Sequence, residues 1–338
     1  MKKKRILLSK YLRIWEKSSI SALDMTSHAS RWISAPGEVF EFYMSKRATY
    51  IDEQIALLQS RGMVIADVAK AEEILLDVGY YRFGFYAFPF EIAPNAQRRT
   101  HQYKPGTDFN QIVDLYYFDH DLRHILMRYI SRIEVNIRTF ITYTVSNHYK
   151  NDPTWFVNPK VVSPKFRQEF EQKIYNTLRQ NPCIANHHRR YTNDRYAPAW
   201  KTLEFMTLGS IITLYECLLD QNLKLKIAQH YGLNTIPLFE NYLQTLKVIR
   251  NACAHGNHIY DLQLIKAVKK GPLKHFDANH RHDIYAVLLV LLYLLHHISE
   301  NREKELQNAL ENHIKQHKNK KNIIILNDFW QNILLNEK

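Results

Sequence analysis

The chain has 338 residues with Lys+Arg 46 against Asp+Glu 33, a formal charge of +13 and a pI near 9.4. Hydrophobic residues make up 46% of it, enough to fill a core, which excludes disorder as the dominant state, and 9 Gly and 11 Pro are too few for a turn-rich sandwich or a linker-dominated chain. The balance leans to helices, and the basic excess calls for an anionic partner. Cys183, Cys217 and Cys253 are an odd set without a C-x-x-C pair, so neither a disulfide framework nor a four-cysteine zinc site follows, and a reducing cytoplasmic setting is expected. Met1 to Lys17 is basic, but Ile6-Leu7-Leu8 gives way to Ser9-Lys10 before an export core can form. The longest apolar run, Ile284 to Leu295, falls short of the roughly 20 residues that span a bilayer. It reads as a buried helix, and no membrane association is expected.

Residues 1–35 carry Lys2, Lys3, Lys4, Arg5, Lys10, Arg13 and Lys17 before the turn signal Pro36-Gly37, and are read as a basic N-terminal extension. Residues 36–109 form an N-terminal helical subdomain. Its apolar positions Ile51, Ile55, Leu58 and then Ala71, Ile74, Leu75 recur at helical spacing, interrupted at Arg61-Gly62. The same subdomain holds an aromatic cluster, Tyr80 to Phe90, with seven aromatics in eleven residues. Residues 110–300 form the helical core. Between Asn110 and Tyr149 the residues Ile112, Leu115, Leu122, Ile125, Leu126, Tyr129, Ile133, Ile137 and Ile141 trace one face, which predicts a long core helix or a kinked pair. Lys165 to Arg179 reads as helix, and Pro182 to Pro198, with His187, His188, Arg189, Arg190 and Arg195, as a basic loop. Helices are expected over 200–219, 223–230, 237–255, 284–298 and 302–316, and a short segment over 324–335 docks the C-terminus. Residues 301–338 form a helical, basic tail. Strand signals are weak, and the fold class is mainly α.

The segment Leu238 to Asn257 concentrates the chemistry. Phe239, Tyr242, Leu243, Leu246, Ile249 and Cys253 make an apolar stripe with Arg250 beside it, Gly256-Asn257 supplies a helix stop, and His255 falls on the last turn. An Arg guanidinium holds phosphate oxygens through paired donors, and a His with a pKa of roughly 6.5 moves protons at neutral pH. Asn251 can orient either. With a ribose 2′-OH as nucleophile, His255 would act as base or acid and Arg250 would stabilise the transition state without a metal, leaving a 2′,3′-cyclic phosphate. Five residues turn a helix through about 140°, so one phosphate meets both side chains only if the helix end unwinds or a second subunit completes the site. The plainer reading of the same residues is a helix C-terminus with His255 on the dipole and Arg250 a solvated edge charge.

Arg250-Asn251-x-x-x-His255 at the end of an amphipathic helix in a basic, all-α chain resembles the signature of the HEPN superfamily of metal-independent ribonucleases. Three further segments resemble the Abi-like (AbiD/AbiF) abortive-infection proteins within it. They are Gly79-Tyr80-Tyr81-Arg82-Phe83-Gly84-Phe85-Tyr86 with Pro89-Phe90; Tyr117-Phe118-Asp119-x-x-Leu122-Arg123 leading to Arg132-Ile133-Glu134-x-x-x-Arg138; and Ala254-His255-Gly256-Asn257-x-Ile259-Tyr260. The resemblance spans roughly Lys46 to Tyr293. It implies a HEPN-like helical bundle, a homodimer whose motifs face each other, catalytic roles for Arg250, Asn251 and His255, and a toxin-like role in anti-phage defence, in some members with a small noncoding RNA. A non-catalytic RNA-binding effector or scaffold is the alternative. No cofactor is implied.

Other signals bear on RNA. The aromatic cluster either stacks unpaired bases, with Tyr81 and Arg82 as surface contacts, or plugs the N-terminal helices against the core. Arg123, Arg128, Arg132 and Arg138 are read as one polar face able to track a phosphate backbone, with Glu134 as the ion-pair partner of Arg138. Arg189 and Arg190 add basic contacts. His187 and His188 near Cys183 lack a second ligand cluster, so no metal site is expected.

Overall fold

The computed structural model describes residues 47–94 and 99–317. The chain divides into two compact units, residues 1–50 and 51–338. Of the first, only residues 47–50 are described, so the basic N-terminal extension lies outside the described residues, as does the segment expected over 324–335. Among the described residues there is no strand, only isolated bridges such as Val64 with Asp108.

The described residues of the second unit are mainly helical. Its first part comprises α1 (Ile51–Ser60), α2 (Val68–Val78) and α3 (Tyr80–Ala87), the last running into a 3-10 turn, Phe88–Phe90. The break between α1 and α2 falls where the sequence placed it, at Gly62 with φ 91°. Ile55, Leu58, Ala71, Leu75, Phe83 and Tyr86 close a small core over the start of the next helix, and Phe83 stacks on Phe109 at 4.7 Å. Burying each of the Ile, Leu and Phe side chains among them stabilises by about 1.5–3 kcal/mol. The aromatic cluster is thus mostly the plug: Phe83, Tyr86 and Ala87 are buried, while Tyr81 is 80% exposed.

Helix α4 (Phe109–His148) is one continuous element of 40 residues, about 60 Å long at 1.5 Å per residue, and not a kinked pair. A capping box starts it: Asn110 N–H donates to Asp108 at 2.7 Å and Asp108 N–H to Gln111 Oε1 at 3.3 Å. Its first turns belong to the small core and the stretch from Phe118 to Val145 to a larger one, so one helix carries both cores.

Around it lie α5 (Pro164–Glu169), a π turn (Phe170–Ile174), α6 (Tyr175–Leu178), α7 (Pro182–Arg190), α8 (Ala199–Thr202), α9 (Leu208–Glu216), α10 (Gln221–His230), α11 (Ile236–Ala254), α12 (Ile284–Ile298) and α13 (Glu300–Gln316). The apolar run is the buried helix α12, packed among α4, α11 and α13. Two expectations are corrected. Pro182–Arg190 is helix rather than loop, because Asn181 caps it through Cys183 N–H at 2.9 Å, Pro182 suits the first turn, and Ile184 and His187 are buried. The helix expected over 200–219 is interrupted after a 3-10 turn at Leu203–Phe205, and Thr207 caps a new one by accepting from Ser210 N–H at 3.2 Å.

Candidate functional site

The apolar stripe of α11 is buried as its spacing requires: Phe239, Tyr242, Leu243, Leu246 and Ile249 are all fully enclosed. The helix stays regular through Ala254 and stops at His255, whose N–H donates to Asn251 O at 3.0 Å. Gly256 at φ 67° and the bond from Asn257 N–H to Ala252 O at 2.9 Å complete a left-handed helix stop. A side chain at Gly256 would meet both that backbone conformation and the Arg82 guanidinium, 3.4 Å from the position of a Cβ. The helix end does not unwind between Arg250 and His255, so the two side chains leave α11 in different directions.

The chain beyond the stop is clamped by the other segments that the sequence singled out. Arg82 Nη1 donates to Gly256 O at 2.5 Å. Asp119, fully buried on α4, accepts from Ile259 N–H at 2.9 Å and Tyr260 N–H at 2.7 Å through one oxygen, and from Tyr86 Oη at 2.7 Å and Arg123 through the other. Arg123 also reaches Tyr86 Oη at 3.0 Å and Asn257 O at 3.4 Å, and Tyr260 Oη donates to Phe85 O at 3.1 Å. Burial pushes the Asp119 carboxyl above its ordinary value against the pull of these donors, and it raises the phenol of Tyr86. Burial opposes the charge of Arg123, but Asp119 and Tyr86 outweigh it and the guanidinium titrates above its ordinary value. Cys253, beside this network, has its thiol pushed up to about 12 by burial, so it is not a nucleophile at neutral pH.

Arg250 meets α4 at a second point. Its Nε donates to Glu134 Oε2 at 3.3 Å, while Glu134 Oε1 accepts from Arg138 Nη2 at 2.9 Å and Arg138 reaches Met206 O at 3.2 Å. The carboxylate of Glu134 therefore fixes two arginines. Among the described residues neither terminal Nη of Arg250 has a hydrogen-bond partner, and the side chain is 28% exposed. His255 and Asn251 are exposed, and the His255 ring has no hydrogen-bond partner among the described residues. Among the described residues the arrangement offers an oriented guanidinium with an open edge and, five residues on, an imidazole without a partner at a rigidly held helix end.

The expected arginine face is divided. Arg123 and Arg138 are 5% and 9% exposed, because Asp119 and Glu134, each four residues earlier on the helix, draw them inward as ion-pair partners. They are internal ties and do not form a phosphate-tracking surface. Arg128 and Arg132 remain exposed, Arg128 over the ring of Tyr129 at 5.6 Å. Arg189 and Arg190 are exposed at the end of α7. Tyr81 is exposed and its ring lies edge-on to Phe85 at 5.0 Å, which in turn stacks on His258 at 5.3 Å, three residues past His255. Asp119 and Tyr86, which lie in two of the family-like segments, have no role assigned from sequence. The signal was there in Asp119, a carboxylate set among Leu115, Phe118 and Leu122 with an arginine four residues on. Among the described residues no cluster of His, Cys, Asp and Glu is suited to a metal ion, and no helix is long and apolar enough to cross a membrane.

No curated protein and no solved structure matches the chain. The family model described as Abi-like protein matches residues 73–261, more than half of the chain, from α2 through α3 and α4 to the residue after Tyr260. The matched span contains both halves of the clamp and the Arg250 to His255 helix end, and the chain belongs to the Abi-like protein family.

Proposed function

We propose that this protein is a metal-independent endoribonuclease of abortive infection, with Arg250 and His255 acting on RNA. Membership of the Abi-like family points in general terms to defence against phage. The observation that carries the finer reading is the presence on one helix end of an Arg250 guanidinium oriented by Glu134 and a His255 ring, with the Arg250 Nη groups and that ring unpartnered among the described residues. In the reaction, His255 accepts the 2′-OH proton and O2′ attacks phosphorus. Arg250 balances the charge that develops on the phosphoryl oxygens, and the 5′-oxygen leaves, taking its proton from solvent water. The products are a 2′,3′-cyclic phosphate and a 5′-OH. Asn251, exposed between them, would hold the substrate. Because Arg250 and His255 diverge from one helix, the proposal includes a homodimer in which the Arg of one chain and the His of the other share a phosphate. Exposed Arg128, Arg132, Arg189, Arg190 and Tyr81, with Arg82 at the helix end, would contact the RNA, and a small noncoding RNA would regulate it.

The divergence of the two side chains also favours the second reading, an RNA-holding effector without cleavage. Expression of wild type beside Arg250→Ala and His255→Ala separates them. The enzyme gives RNA fragments ending in cyclic phosphate, with a loss in each variant of about 100- to 10,000-fold, the usual contribution of a general acid or base. Equal RNA profiles across all three, with one abundant small RNA co-purifying, would establish the holding role instead.

A further inference from the structure

A cavity of about 350 Å³ opens between the C-terminal half of α12, the first turns of α13 and the loop at residues 272–275. It holds the volume of roughly a dozen waters, within the size range of small-molecule sites. Leu289, Leu292 and the planar ring of Tyr293 supply apolar walls, and Lys274, His275 and His297 stand among the polar lining. None of the Arg250, Asn251 or His255 side chains lines it.

Three features give this cavity a ligand chemistry. Its donors are unspent: among the described residues the Lys274 ammonium and the His275 ring have no hydrogen-bond or ion-pair partner, whereas the acid of the lining, Glu303, is already bonded to His296 Nδ1 at 2.8 Å. Among the described residues Lys274 and His275 are thus lining donors left to a ligand, while Glu303 is turned to His296 on α12. His275 adopts φ 55°, a left-handed conformation uncommon for a residue with a Cβ, and Tyr285 Oη holds it there by donating to His275 O at 2.5 Å. The loop is seated on α11 as well, since Tyr242 Oη donates to Lys270 O at 3.0 Å and a Cβ at Gly271 would lie 2.6 Å from Leu238. The site is thus formed in advance of binding, which reduces the ordering cost of occupancy.

We infer that this cavity binds a small planar anion, its ring against Leu289, Leu292 and Tyr293 and its acidic group at Lys274 and His275. Phosphate on a nucleoside and carboxylate on an aromatic ring share this chemistry. The inference is independent of the ribonuclease reading.

Calorimetric titration of the full chain with adenosine monophosphate, benzoate, adenosine and benzyl alcohol tests it. One or both anions bind at a single saturable site, and each anion that binds does so at least tenfold more tightly than its neutral counterpart. Adenosine monophosphate alone identifies the phosphate source, benzoate alone the carboxylate source. Lys274→Ala and the double variant Lys274→Ala/His275→Gly, both at exposed positions, weaken the anion by about 10- to 100-fold, the loss expected for charge-assisted hydrogen bonds. Glycine accepts the φ of His275, so folding is retained and is checked by the melting curve. Absence of binding by both anions below about 5 mM, equal affinity for the neutral molecules, or unchanged affinity in both variants would overturn the assignment.

Discussion

At the residue scale, the chain invests its buried charge in placing a loop. Asp119 has no exposure and takes four donors, two of them backbone N–H groups of the segment that follows His255. Taking away one member of a buried pair leaves the other charge uncompensated, at a cost of about 3–5 kcal/mol. Asp119→Ala is therefore expected to lower stability by about that much, with most of the loss shared with Arg123. The double variant Asp119→Leu/Arg123→Leu should lose less than the sum of Asp119→Leu and Arg123→Leu, by about 1–3 kcal/mol of coupling. Denaturant unfolding of wild type, the three Leu variants and Asp119→Ala measures this. Strict additivity, or a loss below about 1 kcal/mol for Asp119→Ala, would remove the clamp from the account of the fold.

At the scale of elements, hydrophobic period made α1, α2, α4 and α11 readable, because each buries one face, and the unbroken apolar run from Ile284 to Leu295 made α12 readable, because it buries nearly all of itself. Period failed where a local device overrode the pattern. Helix α7 was hidden by its four consecutive basic residues, although Asn181-Pro182 was a legible start signal. The interruption before α9 was hidden because no proline falls between Trp200 and Leu219, and only Thr207 with Ser210 marked a fresh cap. Arg123 and Arg138 looked solvated because period sorts side chains by polarity, whereas acids four residues upstream decide whether an arginine can be buried. The candidate pair itself was legible in the sequence, but its supports from Glu134 and Arg82 depend on contacts 116 and 174 residues away in sequence.

The docking of α13 on α4 yields a further expectation. His313 is buried, stacks on Phe118 at 4.5 Å and meets Phe118 O through Nε2 at 3.0 Å. Burial lowers its pKa below the ordinary 6.5, and His317 beside it adds to the shift. The folded state then binds fewer protons than the unfolded chain between the two values. The contribution is complete above about pH 6.5 and is lost as pH falls through the lower, folded value. Melting temperatures measured from pH 7.5 down to 5 should fall more steeply for wild type than for His313→Leu. Parallel curves would mean that this imidazole is not the group that titrates.

At the scale of the whole molecule, the question is how two side chains that leave α11 in different directions act on one phosphate. The helix is regular from Ile236 to Ala254, and the stop at His255 is fastened by Gly256, Arg82 and the Asp119 network, so an unwinding that swings His255 towards Arg250 would have to break that clamp. A second chain avoids the rearrangement, because a two-fold axis near the helix end sets the Arg of each chain against the His of the other. The proposed dimer then makes a quantitative prediction. Arg250→Ala and His255→Ala are each inactive alone, but every mixed dimer contains one site with both native residues and one with neither. Unfolding and refolding an equal mixture puts half of the chains into mixed dimers, and half of their sites are intact, so about a quarter of wild-type cleavage returns. If each chain carried a complete site of its own, mixing would restore nothing, and the divergence of Arg250 and His255 would have to be resolved within one chain when RNA binds.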